Sequence, residues 1–160
     1  GCPGIEVSTT IIDVGLDEKA RLIEKATDRG LEVHGEIGRK ASETSGESLT
    51  TDEVIEDMQV CLDAGAEIVV FETEEIESAF DESNPEAAQQ ERENLTKIVN
   101  TIGKENIVFE IPISADFHEP LEASAWFIDT LGPDVNLGNV NPMMVSQIEQ
   151  QRRGIGPHQS

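Results

Sequence analysis

Four short apolar runs in this chain each stop at a glutamate: Ile5-Glu6, Val33-His34-Gly35-Glu36, Ile68-Val69-Val70-Phe71-Glu72 and Ile107-Val108-Phe109-Glu110. If such runs are strands of a parallel sheet covered by helices, the terminal carboxylates gather at one rim, where these folds do chemistry. A ring of acids there suits holding a metal ion or moving a proton, since hard cations prefer carboxylate oxygens. The plain alternative for Glu36, Glu72 and Glu110 is a polar strand end that reaches water. One such residue would mean little; three at matching positions favour function. Glu6 carries less weight because its run is short. His34 would join Glu36 as a metal pair, although an interior histidine held by a hydrogen bond is the simpler expectation.

Asn136 and Asn139 flank Gly138 just before Asn141-Pro142. Glycine lets a ligand approach the backbone, and a helix amino terminus close by attracts phosphate or carboxylate. A turn that uses Asn and Gly only for their left-handed conformation is the competing reading. Arg152 and Arg153 would suit anions, but about ten helical residues at ~1.5 Å each carry them ~15 Å from that rim. They are expected at the opposite end or in a subunit contact.

Strand and helix signals alternate along the chain that must position these groups. Residues 4–8 read as a strand, and Leu16, Leu22, Ile23 and Ala26 form one helical face that stops at Gly30. Residues 31–37 are a second strand. Thr50 and Glu53 match a capping box ahead of Val54, Ile55, Met58, Cys61 and Leu62, with Gly65 closing that helix. Residues 67–72 are a third strand. Asn84-Pro85 starts a long helix with Leu95, Ile98, Val99 and Ile102 on one face, ending at Gly103. A fourth strand covers residues 106–111, Pro120 fits the first turn of a helix through Leu131, and residues 135–137 make a short fifth strand. Asn141-Pro142 opens a last helix carrying Met143, Met144, Val145 and Ile148.

Five βα units in series without a hairpin signal require a parallel α/β arrangement, either a doubly wound sheet or a barrel. Eight such units fill a typical barrel of ~250 residues, so five leave it three short. Strand alternation puts Glu32, His34 and Glu36 on one face, which would line a barrel interior near its mouth.

The chain has 160 residues, enough for one domain with a core, and opens on Gly1-Cys2-Pro3 without an initiator methionine, so a piece of a longer chain is expected. With 33 Asp+Glu against 11 Lys+Arg the formal net charge is -22, which argues against nucleic acid or an anionic membrane as partner. Such a surface fits a cytoplasm of high salt, where screening shortens self-repulsion; an ordinary cytosol is the alternative. Two cysteines, Cys2 and Cys61, make neither a disulfide framework nor a zinc ribbon, and a reduced cytoplasmic setting is expected. No run approaches the ~18 apolar residues of a membrane span.

In order and spacing, Ile5-Glu6-Val7-Ser8, Glu36-Ile37-Gly38-Arg39-Lys40, Leu62-Asp63-Ala64-Gly65-Ala66, Val108-Phe109-Glu110, Val135-Asn136-Leu137-Gly138-Asn139 and Arg152-Arg153-Gly154 resemble the phosphosulfolactate synthase family. Its members add sulfite to phosphoenolpyruvate on the route to coenzyme M. The resemblance covers nearly the whole chain; the Glu-Ile-Gly-Arg-Lys strand end and the Val-Asn-Leu-Gly-Asn segment are its most specific parts. It implies a (β/α)8 TIM barrel using magnesium, with residues 1–160 as a single partial-barrel domain holding parallel strands four to eight. It further implies Lys40 as the acid that protonates carbon, with Glu36 beside it as catalytic partner. Arg39 is expected as an anion contact by its guanidinium fork, Asn136, Gly138 and Asn139 as contacts to phosphate or carboxylate, and Glu72 and Glu110 as ligands of Mg2+. A solvated lysine and a surface arginine are the plain alternatives at positions 40 and 39. An incomplete barrel exposes sheet edges, so assembly with further copies is expected.

The chain also departs from the family. Asp-Gly-Ser after the first strand is Thr9-Thr10-Ile11 here, the arginine segment after Glu72 is Thr73-Glu74-Glu75-Ile76, and the Ala-Pro segment after Glu110 is Ile111-Pro112-Ile113-Ser114. Two readings follow: a magnesium-dependent carbon–sulfur lyase or synthase, on the named substrates or a relative of them, and a noncatalytic stress-related protein on the same barrel. Lys40 with Glu36 favours the first, and the lost anion contacts favour the second or a changed substrate.

Overall fold

The structure, a computed structural model, describes residues 1–8, 14–38, 49–114 and 117–155, the side chains of residues 74 and 75 excepted. Among them run β1 (Gly4–Val7), α1 (Leu16–Thr27), β2 (Glu32–Ile37), α2 (Thr51–Asp63), β3 (Ile68–Phe71), α3 (Thr73–Ile76), α4 (Pro85–Ile102), β4 (Ile107–Glu110), α5 (His118–Leu131), β5 (Asn136–Gly138) and α6 (Val145–Arg152). The strands form one parallel sheet in the order β1-β2-β3-β4-β5. A doubly wound sheet needs a point where strand order reverses, and this order has none; it is the order of a (β/α) barrel, here a partial one. No helix among the described residues is long and apolar enough to cross a membrane.

Alternation sorts each strand into two faces. Val33, Ile37, Val69, Phe71, Ile107 and Phe109 are buried under the helices, while Glu32, His34 and Glu36 turn to the other face. Phe109 stacks on Phe127 of α5 at 4.6 Å between centroids and meets Phe71 edge-on at 6.5 Å. Gly35 sits where α2 comes closest: a Cβ there would lie 2.8 Å from both Cβ and Sγ of Cys61. Gly35→Ala is therefore expected to lower stability by about 1–3 kcal/mol through overpacking, with Cys61→Ala relieving part of the loss in urea unfolding. Equal midpoints for the two variants would refute that cause.

Caps end the elements where the residues direct. Thr50 Oγ1 accepts from the Glu53 amide while the Glu53 carboxylate accepts from the Thr50 amide, a capping box for α2. Asn84 caps α4 with Pro85 in its first turn. The last helix begins later than expected, at Val145, because Asn141 forms a turn of its own: its Oδ1 accepts from the Met143 amide at 3.0 Å and its carbonyl from the Met144 amide at 2.8 Å. The short α3 and the 3-10 turn Glu77–Phe80 after β3 were not foreseen.

Several cations fasten segments distant in sequence. Arg92 Nε donates to the Ala79 carbonyl at 2.8 Å, with its guanidinium over Phe80 and Trp126. Lys104 Nζ donates to the Leu131 carbonyl at 2.7 Å and pairs with Asp134. Arg152 grips the carbonyls of Pro133 and Val135. Those carbonyls precede β5, so Arg152 lies at the end away from the rim; Arg153 pairs with Glu149 on its own helix.

Candidate active site

Register brings the strand-end carboxylates to one mouth. Glu6 stands opposite His34, Glu36 opposite Val70, Val108 opposite Asn136 and Glu110 opposite Gly138, all on the face turned from the helices. Ser8 Oγ donates to Glu36 Oε1 at 2.7 Å. Glu6, also hydrogen-bonded to Glu36, has its pKa pushed up to about 7. Partial burial is the first cause, although the residue keeps part of its surface in water; next come the hydrogen bond to Glu36 and the negative charges of Glu36 and Glu110, with His34 acting the other way. The two carboxyls therefore share a proton near neutral pH, and the proton belongs to the pair. His34 Nε2 lies 3.2 Å from Glu32 Oε1, which ties it down within its own strand.

Because the protonated form of Glu6 is favoured in the fold, its contribution to stability is greatest in acid and is lost as pH rises from the ordinary carboxylate value of 4.5 through about 7. Glu36→Gln removes a charge and a shared proton, and is expected to bring the Glu6 midpoint down by roughly 1–2 pH units and shrink that loss. Carboxyl 13C titration by NMR reads it directly; an unmoved midpoint would dismiss the pairing.

A second group forms around Glu110. Asn139, in the left-handed region at φ 54, donates its amide to Glu110 Oε2 at 3.0 Å and to Thr73 Oγ1 at 3.3 Å. Thr73 Oγ1 in turn donates to the Glu110 carbonyl at 3.1 Å. Gly138 packs against the same carboxylate arm, since a Cβ there would be 3.2 Å from Glu110 Cγ. Asn136 is turned to the sheet, its amide donating to the Ile107 carbonyl at 3.2 Å. The left-handed turn and the contact with the acid thus coexist at Asn139.

Glu72 follows β3 with Oε2 shut from solvent, and it lies against the end of β2: a Cβ on Gly38 would come within 2.5 Å of that oxygen. Only a glycine lets Glu72 occupy this place, directly before Arg39 and Lys40 in sequence. Arg39 and Lys40 themselves lie outside the described residues.

Glu36, Glu72 and Glu110 offer hard oxygen donors, but no three His, Cys, Asp or Glu side chains among the described residues form a ready-made metal cage. Carboxylate oxygens are donors of the kind a hard cation such as magnesium takes with water and anionic ligands, and differ from the sulfur and nitrogen donors of tetrahedral zinc. Sequence reasoning missed Ser8 and Thr73, because each acts across strands and no local pattern marks it.

Sheet order and the carboxylate-lined mouth together define a partial (β/α) barrel with an acidic rim at the carboxyl ends of its strands. The family model for (2R)-phospho-3-sulfolactate synthase matches residues 1–157, and the chain belongs to that family. It is 30% identical over 155 residues to the phosphosulfolactate synthase of Methanothermobacter thermautotrophicus, covering 97% of this chain and 57% of that protein. Against the phosphosulfolactate synthase of Methanocaldococcus jannaschii it is 29% identical over 155 residues, covering 97% of this chain and 58% of the relative. The chain thus spans little more than half the length of these relatives.

Proposed function

We propose that the protein is a phosphosulfolactate synthase-like enzyme that adds sulfite to phosphoenolpyruvate with the help of Mg2+, or a relative using a different enol or nucleophile. The observation that carries this reading is the gathering of Glu6, Glu36 and Glu110 at one mouth in a chain of this family. In the reaction, sulfite sulfur donates its lone pair to the methylene carbon of phosphoenolpyruvate and forms a C–S bond. The π electrons move toward the carbon bearing the carboxylate, and a proton arrives there. Lys40 supplies that proton as an ammonium acid. The Glu6–Glu36 pair holds one proton at the mouth, which removes one negative charge from the path of two anions and is a source for re-protonating Lys40. Arg39 and the turn of Asn136, Gly138 and Asn139 contact phosphate, sulfite or carboxylate. Glu72 and Glu110 would hold Mg2+, which would supply positive charge to offset the negative charge of the substrates.

We read the chain as one partial-barrel domain working in a cytoplasm of high salt, assembled with further copies of itself. The test is to incubate the full-length protein with phosphoenolpyruvate, sulfite and Mg2+ in high salt and follow sulfonate by mass spectrometry. Product that vanishes on chelation of Mg2+ is expected. No product under any of these conditions would reject the reading and leave the noncatalytic, stress-related role on the same scaffold, which the replaced segments Thr9-Thr10-Ile11 and Thr73-Glu74-Glu75 would then explain.

A further inference from the structure

A lysine with no exposed surface lies beneath this site. Lys19 of α1 sits at 0% relative exposure, its Nζ 2.6 Å from Asp57 Oδ1 of α2 and 2.7 Å from the backbone carbonyl of Glu36. Asp57 also accepts from Cys61 Sγ at 3.6 Å, and burial pushes the Cys61 thiol up to about 12, so it stays neutral. An ion pair taken this far out of water is a poor source of stability: well-packed apolar residues of similar volume often do as well or better, while breaking one partner is costly. Its position therefore calls for another account.

The account lies in the strand pairing. The Glu32 amide donates to the Pro3 carbonyl, so the even-numbered residues of β2 turn their backbone groups toward β1. The strand β1 ends at Val7, level with Gly35, and the next carbonyl on that side is Glu36, the one Lys19 takes. That bond is charge-assisted and ties this strand end to the helix layer. The same residue sends its side chain to the opposite face, where Ser8 and Glu6 hold it. Backbone and carboxylate of Glu36 are thus fixed from opposite faces of the sheet.

We infer that Lys19 and Asp57 are a positioning pair that sets the end of β2, and with it Glu36, from the helix layer. That a positioned Glu36 matters for turnover rests on the reading under Proposed function; the positioning itself does not.

Three proteins test it: wild type, Lys19→Met, and Lys19→Met with Asp57→Leu. The single variant leaves Asp57 buried and unpaired and is expected to be the least stable. The double variant is expected to regain the wild-type melting temperature yet keep displaced NMR resonances for the Glu36 carbonyl and carboxyl carbons. Its kcat with phosphoenolpyruvate and sulfite falls about tenfold while KM changes less than about twofold, the split that misorientation of a reacting group gives. Wild-type Glu36 resonances in the folded double variant overturn the inference and leave the pair as packing only. If the single variant does not fold, the double variant still decides. If the wild type makes no sulfonate, the proposed function fails while the Glu36 resonances judge the positioning independently.

Discussion

Phe109→Ala is expected to cost about 3–5 kcal/mol, a large share of the ~5–15 kcal/mol that holds a domain of this size together. The ring is fully buried, stacked on Phe127 at 4.6 Å and edge-on to Phe71 at 6.5 Å, so its removal opens a cavity between sheet and helix α5 that neighbouring strands cannot close. Phe109 also precedes Glu110 on β4, so a slackened strand end would loosen the contact from Asn139. Urea unfolding should show the midpoint falling with an unchanged slope, and Phe109→Leu should lose far less. A loss under about 1 kcal/mol for the alanine variant would mean that the aromatic cluster is not what joins β4 to the helix layer.

Lys40→Ala is expected to lower kcat for sulfonate formation by about 10²–10⁴-fold, the range for removing a positioned general acid. The physical case rests on charge: in the proposed reaction both substrates are anions, addition forms a carbanion that a proton quenches, and an ammonium would deliver that proton while adding positive charge. If Lys40 is the acid, activity should fall with rising pH once the ammonium is lost, and Lys40→Ala should abolish that alkaline limb. Equal product from both proteins would remove Lys40 from the chemistry. A raised KM with kcat intact would instead assign it to substrate binding.

The fold was legible because period and punctuation agreed along the chain. Thr50 with Glu53, Asn84 with Pro85, and the alternation of Val33-His34-Gly35-Glu36 each state an element boundary or face in local chemistry, and the structure follows them to within a residue or two. Asn141 misled because an amide side chain ahead of proline signals both a helix cap and a turn, and here the turn comes first. Four glutamates at strand ends could be read as rim residues, but their partners could not. Ser8 reaches Glu36 across 28 residues and Asn139 reaches Glu110 across 29, contacts that register creates and composition does not announce. Lys19 was hidden for a similar reason: a lysine among helix charges reads as solvated until its helix is docked.

Arg92, Lys104, Arg152 and Lys19 each donate to a main-chain oxygen from a remote segment. The consequence is a lower bound on how acidic the sequence can become. Exchanging surface lysines for acids alters only the ionic atmosphere, whereas an acid at any of these four positions would confront a bare oxygen with a second negative group and unstitch two parts of the chain. Drift toward ever greater anionic character must spare them, and they are the basic positions to look for first in more acidic descendants of this sequence.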